Sequence, residues 1–283
     1  MGTLSRTWDL MGQSFRVLKS DKELMWLPVL SAIFCIMATI TICGTGFLVM
    51  VPPGPMPHDV ASQKLLEQQM APWMFLLYVV NYSLSVYFNV ALVGIALNRL
   101  AGGNGTLSDG LQLAWQRKWS ILQWALLSAT IGMVLQAIER RVGFLGKLVA
   151  SFIGVAWTLA SFFVVPVLAV EGVGPVEALS KSGHLFRERW GEQLTGGFSF
   201  QLLFFLLALP GALPPLMGVQ RFGPTGLLVG LAISVIYWVL LAVVASAARG
   251  IFVAALYCYA TDQTVPPGWD RGDLSGAFQP KSR

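Results

Sequence analysis

Three polar side chains, which we call the amide row after its two asparagines, recur every four residues inside a long apolar stretch. They are Asn81, Ser85 and Asn89. This spacing places them on one face of a helix. Within a membrane, such a row either lines a path for a solute or ion, or supplies hydrogen bonds between helices. No acid or base joins the row, which favours the packing role, but the sequence leaves both interpretations open.

Glu171 closes a later apolar stretch, five residues after Pro166. Proline removes one backbone N–H and frees a carbonyl, and transporters use such broken helix ends to coordinate cations. The alternative is that Glu171 lies at the membrane boundary. There it caps the helix that opens at Pro175 or pairs with Lys181 or Arg187. The sequence favours the boundary role, and Glu171 joins the amide row as a candidate cavity residue.

The sequence lacks the residue sets of the common catalytic and metal sites. Cys35, Cys43 and Cys258 have no C-x-x-C or Cys/His spacing, which argues against a zinc site or a disulfide framework. His58 and His184 have no acidic or cysteine partner at ligand spacing. G-x-S-x-G and H-E-x-x-H motifs are absent from the sequence. We therefore expect no metal, no cofactor and no enzymatic activity.

Six apolar stretches must position the polar residues. Hydrophobic residues make up 55% of the 283 residues and charged residues only 12%, about half the usual charged fraction. A bilayer core is crossed by about 20 apolar residues in a helix, and lipid offers no partner to an unpaired backbone group. The composition predicts an all-α integral membrane protein with six transmembrane helices. They are placed at 26–51, 72–97, 120–138, 148–170, 194–217 and 225–248.

The distribution of Lys and Arg predicts the orientation. Four lie before the first stretch, three between the second and third, three between the fourth and fifth, and four after the sixth. The opposite side carries five, including Arg140 and Arg141, which run against the trend. Because cytoplasmic segments are enriched in these residues, both termini are predicted to be cytoplasmic. The excess of positive charge then reflects membrane topology, and no nucleic-acid partner is expected.

Three segments combine an apolar stripe with basic residues: 3–19, 107–119 and 176–190. Helices of this kind lie in the headgroup layer and are attracted to anionic lipid. We predict three cytoplasmic interfacial helices that contact the inner leaflet. The predicted headgroup contacts are Arg16, Lys19, Arg117, Lys118, Lys181, Arg187 and Arg189.

A short signature recurs near the end of every second stretch. It reads Phe88-x-x-Ala91-Leu92, Phe163-x-x-Pro166-Val167 and Phe252-x-x-Ala255-Leu256. With the interfacial segments, it indicates three degenerate copies of an interfacial helix followed by a transmembrane hairpin. The copies cover 3–100, 106–172 and 175–260, all within a single domain of residues 1–262. The polar stretch 263–283 is expected to be a flexible cytoplasmic tail.

Gly226, Gly230 and Ser234 form a ridge of small residues on the sixth stretch. Small residues at this spacing let two helices approach closely. The ridge therefore predicts close helix packing, either within the bundle or in a dimer.

Two parts of the chain resemble a known family. The first runs from Trp8 through Phe15-Arg-Val-Leu-Lys-Ser-Asp-Lys-Glu-Leu24. The second comprises Phe163-Val-Val-Pro-Val-Leu-Ala-Val-Glu-Gly172 and the segment that follows, to Gly191. Both resemble a family of prokaryotic six-span membrane proteins of unknown function. The second part is also loosely similar to the membrane domain of glycerophosphodiester phosphodiesterases. The resemblance implies a six-helix inner-membrane domain without an assigned activity.

The sequence thus leaves three functions open. The first is a non-enzymatic membrane module that interacts with partners or organises lipid, based on the basic interfacial helices. The second is a transporter for a small solute or lipid, based on the amide row and Glu171. The third, a membrane-embedded lipid-modifying enzyme, has no residue set to support it. A prokaryotic plasma membrane is the expected location.

Overall fold

A computed structural model describes residues 22–50, 60–141, 144–190 and 203–261, and every regular element in these ranges is a helix. The long helices are α1 (Trp26–Met50), α2 (Val60–Leu100), α4 (Lys118–Arg141), α5 (Phe144–Ala160) and α8 (Leu213–Ala260). Shorter helices are α3 (Leu107–Gln116), α6 (Val164–Val170) and α7 (Pro175–Trp190). Two 3-10 turns, Lys22–Met25 and Leu209–Ala212, precede α1 and α8, and residues 203–208 are helical.

Five helical runs are long and apolar enough to cross a membrane: Glu23–Val49, Gln68–Leu100, Lys118–Glu139, Val149–Val170 and Leu203–Ala260. Large apolar side chains on these runs are exposed, such as Leu48 (80%), Phe152 (69%) and Leu228 (69%). In water such surfaces would be unfavourable over so large an area, whereas lipid tails cover them. The runs therefore indicate a multi-pass membrane protein.

The chain divides into two compact units. Residues 29–91 and 108–184 form the first, in which α1 and α2 pack antiparallel. Gly46 approaches Trp73 near one end of the pair, and Phe34 contacts Phe88 near the other, with ring centroids 5.6 Å apart. The Tyr87 hydroxyl donates to the Leu111 carbonyl at 3.0 Å, which fixes α3 against α2.

In the same unit, α4 and α5 pack against each other, and the Trp124 and Trp157 rings stack 5.5 Å apart. The sequence predicted a single helix over 148–170. In the structure, this apolar run is not one continuous helix. It breaks at residues 161–163 and resumes as α6. Pro166 explains the break, because it has no N–H for the Phe162 carbonyl and its ring crowds that carbonyl.

The second unit contains a helical hairpin. The run of 58 residues from Leu203 to Ala260 would be about 87 Å long as a straight helix, far beyond a bilayer core. Instead it reverses at Gly223, whose φ of 59° and ψ of −143° are accessible mainly to glycine. Pro224 then starts the second arm. The first arm contains the described part of the predicted fifth stretch, from residue 203 to 217, and the second arm contains the sixth; residues 194–202 lie outside the described residues.

Small residues bring the two arms into contact. A Cβ on Gly226 would lie 2.1 Å from the Gly218 carbonyl oxygen, and one on Gly230 would lie 2.5 Å from that of Pro214. Ser234 is fully buried and donates to the Gly230 carbonyl at 2.9 Å. The predicted small-residue ridge therefore packs inside the hairpin.

The second arm of the hairpin is packed more densely at its C-terminal end, over residues 247–260, than next to the turn at Gly223. Most residues from Ala247 to Ala260 are buried, and a Cβ on Gly250 would meet the Leu92 side chain. The turn Lys22–Met25 also contacts α8, and Leu24 and Leu27 are fully buried. All three copies of the Phe signature are buried, with Phe88, Phe163 and Phe252 no more than 6% exposed.

Several predicted features lie outside the described residues. They are the first interfacial segment up to residue 19, most of the loop after α1 at 51–59, and the tail 263–283. The other two interfacial segments correspond to α3 and α7.

The hairpin contact predicts a large effect from a single methyl group. Gly226→Ala should destabilise the protein by about 1–3 kcal/mol, because the methyl group meets backbone that cannot move aside. Gly44→Ala is the matched control, since nothing lies within 4 Å of a Cβ there. Thermal unfolding of the purified protein in detergent measures both. Equal midpoints for the two variants would contradict the hairpin packing.

Candidate functional site

The amide row of α2 is engaged mainly in helix contacts. Asn81 Nδ2 donates to the Leu77 carbonyl at 2.9 Å and to Thr39 Oγ1 of α1 at 3.2 Å. Cys35 Sγ lies 3.7 Å from Ser85 Oγ. Among the described residues, Asn89 Nδ2 bonds only to the Ser85 carbonyl of its own helix, at 2.9 Å. Asn81 therefore joins α1 to α2, whereas the bond of Asn89 stays within α2.

Glu171 lies apart from that row and pairs with Lys181 of α7. Lys181 also bonds to Glu177 Oε1 at 3.1 Å. The hydrogen bonds that Lys181 donates, first to Glu171 and then to Glu177, raise its pKa above the ordinary value. The raised pKa means that the lysine charge stabilises the folded protein at any pH below its ordinary pKa, and that this contribution is lost as pH rises through the raised pKa.

The segment between α6 and α7 is clamped from the start of α4. Arg117 Nη2 donates to the Val170 carbonyl at 3.2 Å, and Ser120 Oγ donates to the Gly172 carbonyl at 3.2 Å. Gly172 has a φ of 63°, and a Cβ there would overlap the Arg117 guanidinium. A cation at a helix C-terminus also interacts favourably with the helix dipole. Arg117 therefore holds the end of α6; we call Arg117, Ser120 and Gly172 the loop clamp.

A second contact joins α7 to the helix break. The Phe163 N–H donates to Ser182 Oγ at 2.8 Å, and both residues are fully buried. Leu159, four residues before Phe163, has its carbonyl bonded to the Phe162 N–H instead. Ser182 thus replaces the intrahelical partner that the break removes.

Lys118 has a different environment from its neighbour Arg117. Its ammonium lies 4.0 Å from the ring centroid of Trp115 and 5.9 Å from that of Trp119. The two indoles are 61% and 66% exposed. We call these three residues the Trp–Lys–Trp surface. It has the composition of an interfacial anchor, in which indoles and a lysine meet the headgroups.

The structure divides the predicted headgroup residues into two groups. Arg117 and Lys181 bond to protein groups, whereas Arg187 is exposed and Lys118 is half-buried against the Trp115 and Trp119 rings. Arg16, Lys19 and the Arg189 side chain lie outside the described part of the chain. The sequence reasoning missed Ser120, Gly172 and Ser182, whose roles depend on contacts between distant segments. Only the Gly172 turn carried a signal, as a glycine directly after a predicted helix end.

Within the described ranges, no group of three or more His, Cys, Asp or Glu side chains could hold a metal ion. The contacts found here join helices and close helix ends.

The contacts of the amide row predict different stability costs for replacing its two asparagines. Asn81→Leu should cost about 0.6 kcal/mol and at most about 2, because it removes the bond to Thr39. Asn89→Leu removes only a bond within its own helix and should be nearly neutral. Thermal unfolding in detergent measures both, and an Asn89→Leu variant less stable than Asn81→Leu would contradict the assigned contacts.

The loop clamp can be tested with two glycines of the same loop. Gly172→Ala should cost at least about 1–2 kcal/mol, because its φ is positive and the methyl group meets Arg117. Gly174→Ala should have little effect, since nothing lies within 4 Å of a Cβ there. The difference in unfolding temperature between the two variants checks the clamp; no difference would rule it out.

The contact at the helix break predicts a cost for one hydroxyl. Ser182→Ala leaves the buried Phe163 N–H without a partner and should cost about 1–3 kcal/mol. Ser180→Ala, on the exposed side of α7, should change stability by less than about 0.5 kcal/mol. Unfolding midpoints measure both, and tolerance of Ser182→Ala would show that water or another group can replace Ser182.

Residues 69–266 match the profile of a family described as a family of unknown function, DUF6159. No curated protein matches the chain. The matched range covers more than half of the chain and includes the amide row, the loop clamp and the helical hairpin. The chain belongs to the DUF6159 family.

Proposed function

We propose that this protein is a non-enzymatic membrane module of a prokaryotic plasma membrane, which anchors at the inner leaflet and organises anionic lipid or membrane partners. The Trp–Lys–Trp surface carries the proposal. Lysine side chains near an anionic leaflet each contribute about 1 kcal/mol of attraction, and indoles favour the headgroup layer. Lys118 bonds to no acidic residue in the described ranges, so its charge is available to lipid phosphate.

The proposal includes six spans with both termini in the cytoplasm. Counting the two arms of the hairpin separately turns the five apolar runs into six. The distribution of Lys and Arg supports the orientation. The three buried Phe signatures support a threefold repeat of a short helix and a transmembrane hairpin. The resemblance to the membrane domain of glycerophosphodiester phosphodiesterases fits a lipid environment.

A transporter has weaker support. Two apolar runs are broken, at residues 161–163 and at 209–212, and broken helices line transport sites in many carriers. Here, however, side chains of the same unit bond to the backbone at both breaks. Ser182 accepts from Phe163, and Trp238 Nε1 donates to the Ala208 carbonyl at 3.0 Å. These contacts favour a structural role for the breaks.

The experiment compares lipid selectivity in the full-length protein. Wild type, Lys118→Gln and Lys147→Gln are reconstituted in bilayers that mix phosphatidylcholine and phosphatidylglycerol, and bound lipid is measured by native mass spectrometry. Lys118→Gln should lower the preference for phosphatidylglycerol about fivefold, the equivalent of about 1 kcal/mol. Lys147, an exposed lysine on the predicted outer side, is the matched control.

High salt should weaken the preference of the wild type. Equal selectivity in all three proteins, or selectivity that does not respond to salt, would refute the proposal.

A further inference from the structure

The loop clamp and the Trp–Lys–Trp surface share one short stretch of chain. Arg117 and Ser120 are three residues apart, and both donate to carbonyls at the end of α6 and in the loop after it. Lys118 and Trp119 lie between them in the sequence. Because residues three apart share a face of a helix, the two residues between them lie on the other side. This single turn therefore joins the loop to the surface that we propose for lipid.

Arg117 is also the residue between α3 and α4. It belongs to neither helix, and its N–H is shared between the Leu113 and Ala114 carbonyls, at 3.1 and 3.2 Å. Its own carbonyl accepts from the Ile121 N–H of α4 at 3.0 Å. Shared hydrogen bonds of this kind are common where helices end. Arg117 is thus the junction at which α3 changes into α4.

The Trp–Lys–Trp surface spans this junction. Trp115 belongs to α3, whereas Lys118 and Trp119 belong to α4. The Lys118 ammonium lies closer to the indole of the other helix, with 4.0 Å to the ring centroid, than to the indole of its own helix, at 5.9 Å. The arrangement of the three side chains therefore depends on the angle between α3 and α4.

Side-chain bonds hold the helices on both sides of the junction. The Tyr87 hydroxyl donates to the Leu111 carbonyl of α3, and the loop clamp holds Arg117 and the first turn of α4. A headgroup that contacts groups from both helices binds more tightly when those groups are already in place, because binding then has a smaller ordering cost. Coupling between two equilibria is reciprocal, so a lipid that favours this arrangement also favours the clamped loop.

Given the lipid contact proposed above, we infer that Arg117 and Ser120 are positioning residues for the Trp–Lys–Trp surface, and that anionic lipid bound there strengthens the loop clamp. The clamped carbonyls belong to Val170 and Gly172, the two neighbours of Glu171. Since Glu171 pairs with Lys181, the coupling extends from the α3–α4 junction through the end of α6 to α7.

The Glu171 N–H reports on the clamped state. It bonds to the Val167 carbonyl at 2.9 Å, so its hydrogen exchange requires the end of α6 to open. The experiment measures this exchange in the full-length protein in phosphatidylcholine nanodiscs, with and without phosphatidylglycerol. Phosphatidylglycerol should slow the exchange of the wild type about fivefold, at the lower end of typical couplings between sites. Lys118→Gln should lose this response, and Lys147→Gln, the matched control, should keep it.

A glycine outside the lipid surface provides the reciprocal test. Gly172→Ala places a methyl group where the Arg117 guanidinium lies, whereas Gly174→Ala meets nothing within 4 Å. Neither variant changes a charge. In native mass spectrometry, Gly172→Ala should lower the preference for phosphatidylglycerol by up to the same factor, about fivefold, and Gly174→Ala should leave it unchanged. The exchange measurement decides the question on its own if Gly172→Ala does not fold.

Three results would overturn the coupling. Glu171 exchange that ignores phosphatidylglycerol, while lipid preference still depends on Lys118, would show that the surface binds lipid without acting on the clamp. A higher lipid preference in Gly172→Ala would show that the freed guanidinium binds phosphate, so that lipid opens the clamp instead. A wild type without any preference for phosphatidylglycerol would refute the proposed function and this coupling together.

Discussion

Hydrocarbon provides no hydrogen-bond partner, and this constraint explains the side-chain bonds to backbone groups at the helix breaks that the structure describes. At two proline-containing breaks in the described apolar runs, side chains from another segment bond to backbone groups. Ser182 accepts from the Phe163 N–H at the break before α6. In the hairpin, the side chains of Tyr237 and Trp238 donate to the carbonyls of Leu207 and Ala208. The breaks thus determine which helices must touch.

The same constraint accounts for the loop clamp and for the short helix α7. Arg117 and Ser120 bond to carbonyls at the end of α6, where no intrahelical donors remain. Since α7 provides Ser182 and Lys181, it closes the break from one side and holds Glu171 on the other. Lys118 is half-buried beside two exposed indoles and makes no contact with the described loop, whereas the neighbouring Arg117 bonds to it. Of two adjacent basic residues, one therefore serves the fold and the other the proposed lipid contact.

The apolar stretches could be predicted from sequence because their length and composition are local properties. The same local properties separated the fifth and sixth stretches, and the structure adds the physical reason, a glycine with positive φ at Gly223 followed by Pro224. The buried faces of α3 and α7 could not be predicted by hydrophobicity. They pack through Gly110, Ala114, Ala178 and Ser182, while Trp115 and Val176 face outward. Close packing selected small residues, whereas the apolar stripe suggested large ones.

In this structure, side chains from other segments bond to the backbone at the break before α6 and at the turn before α8, and this arrangement holds the helices together. Residue-resolved amide hydrogen exchange of the Phe163 N–H, in the full-length protein in lipid nanodiscs, tests it most directly. Because Ser182 accepts this hydrogen in a fully buried position, the amide should be as strongly protected as those inside α4. Exchange as fast as that of an exposed loop amide would show that the break is open to water, and would contradict the account.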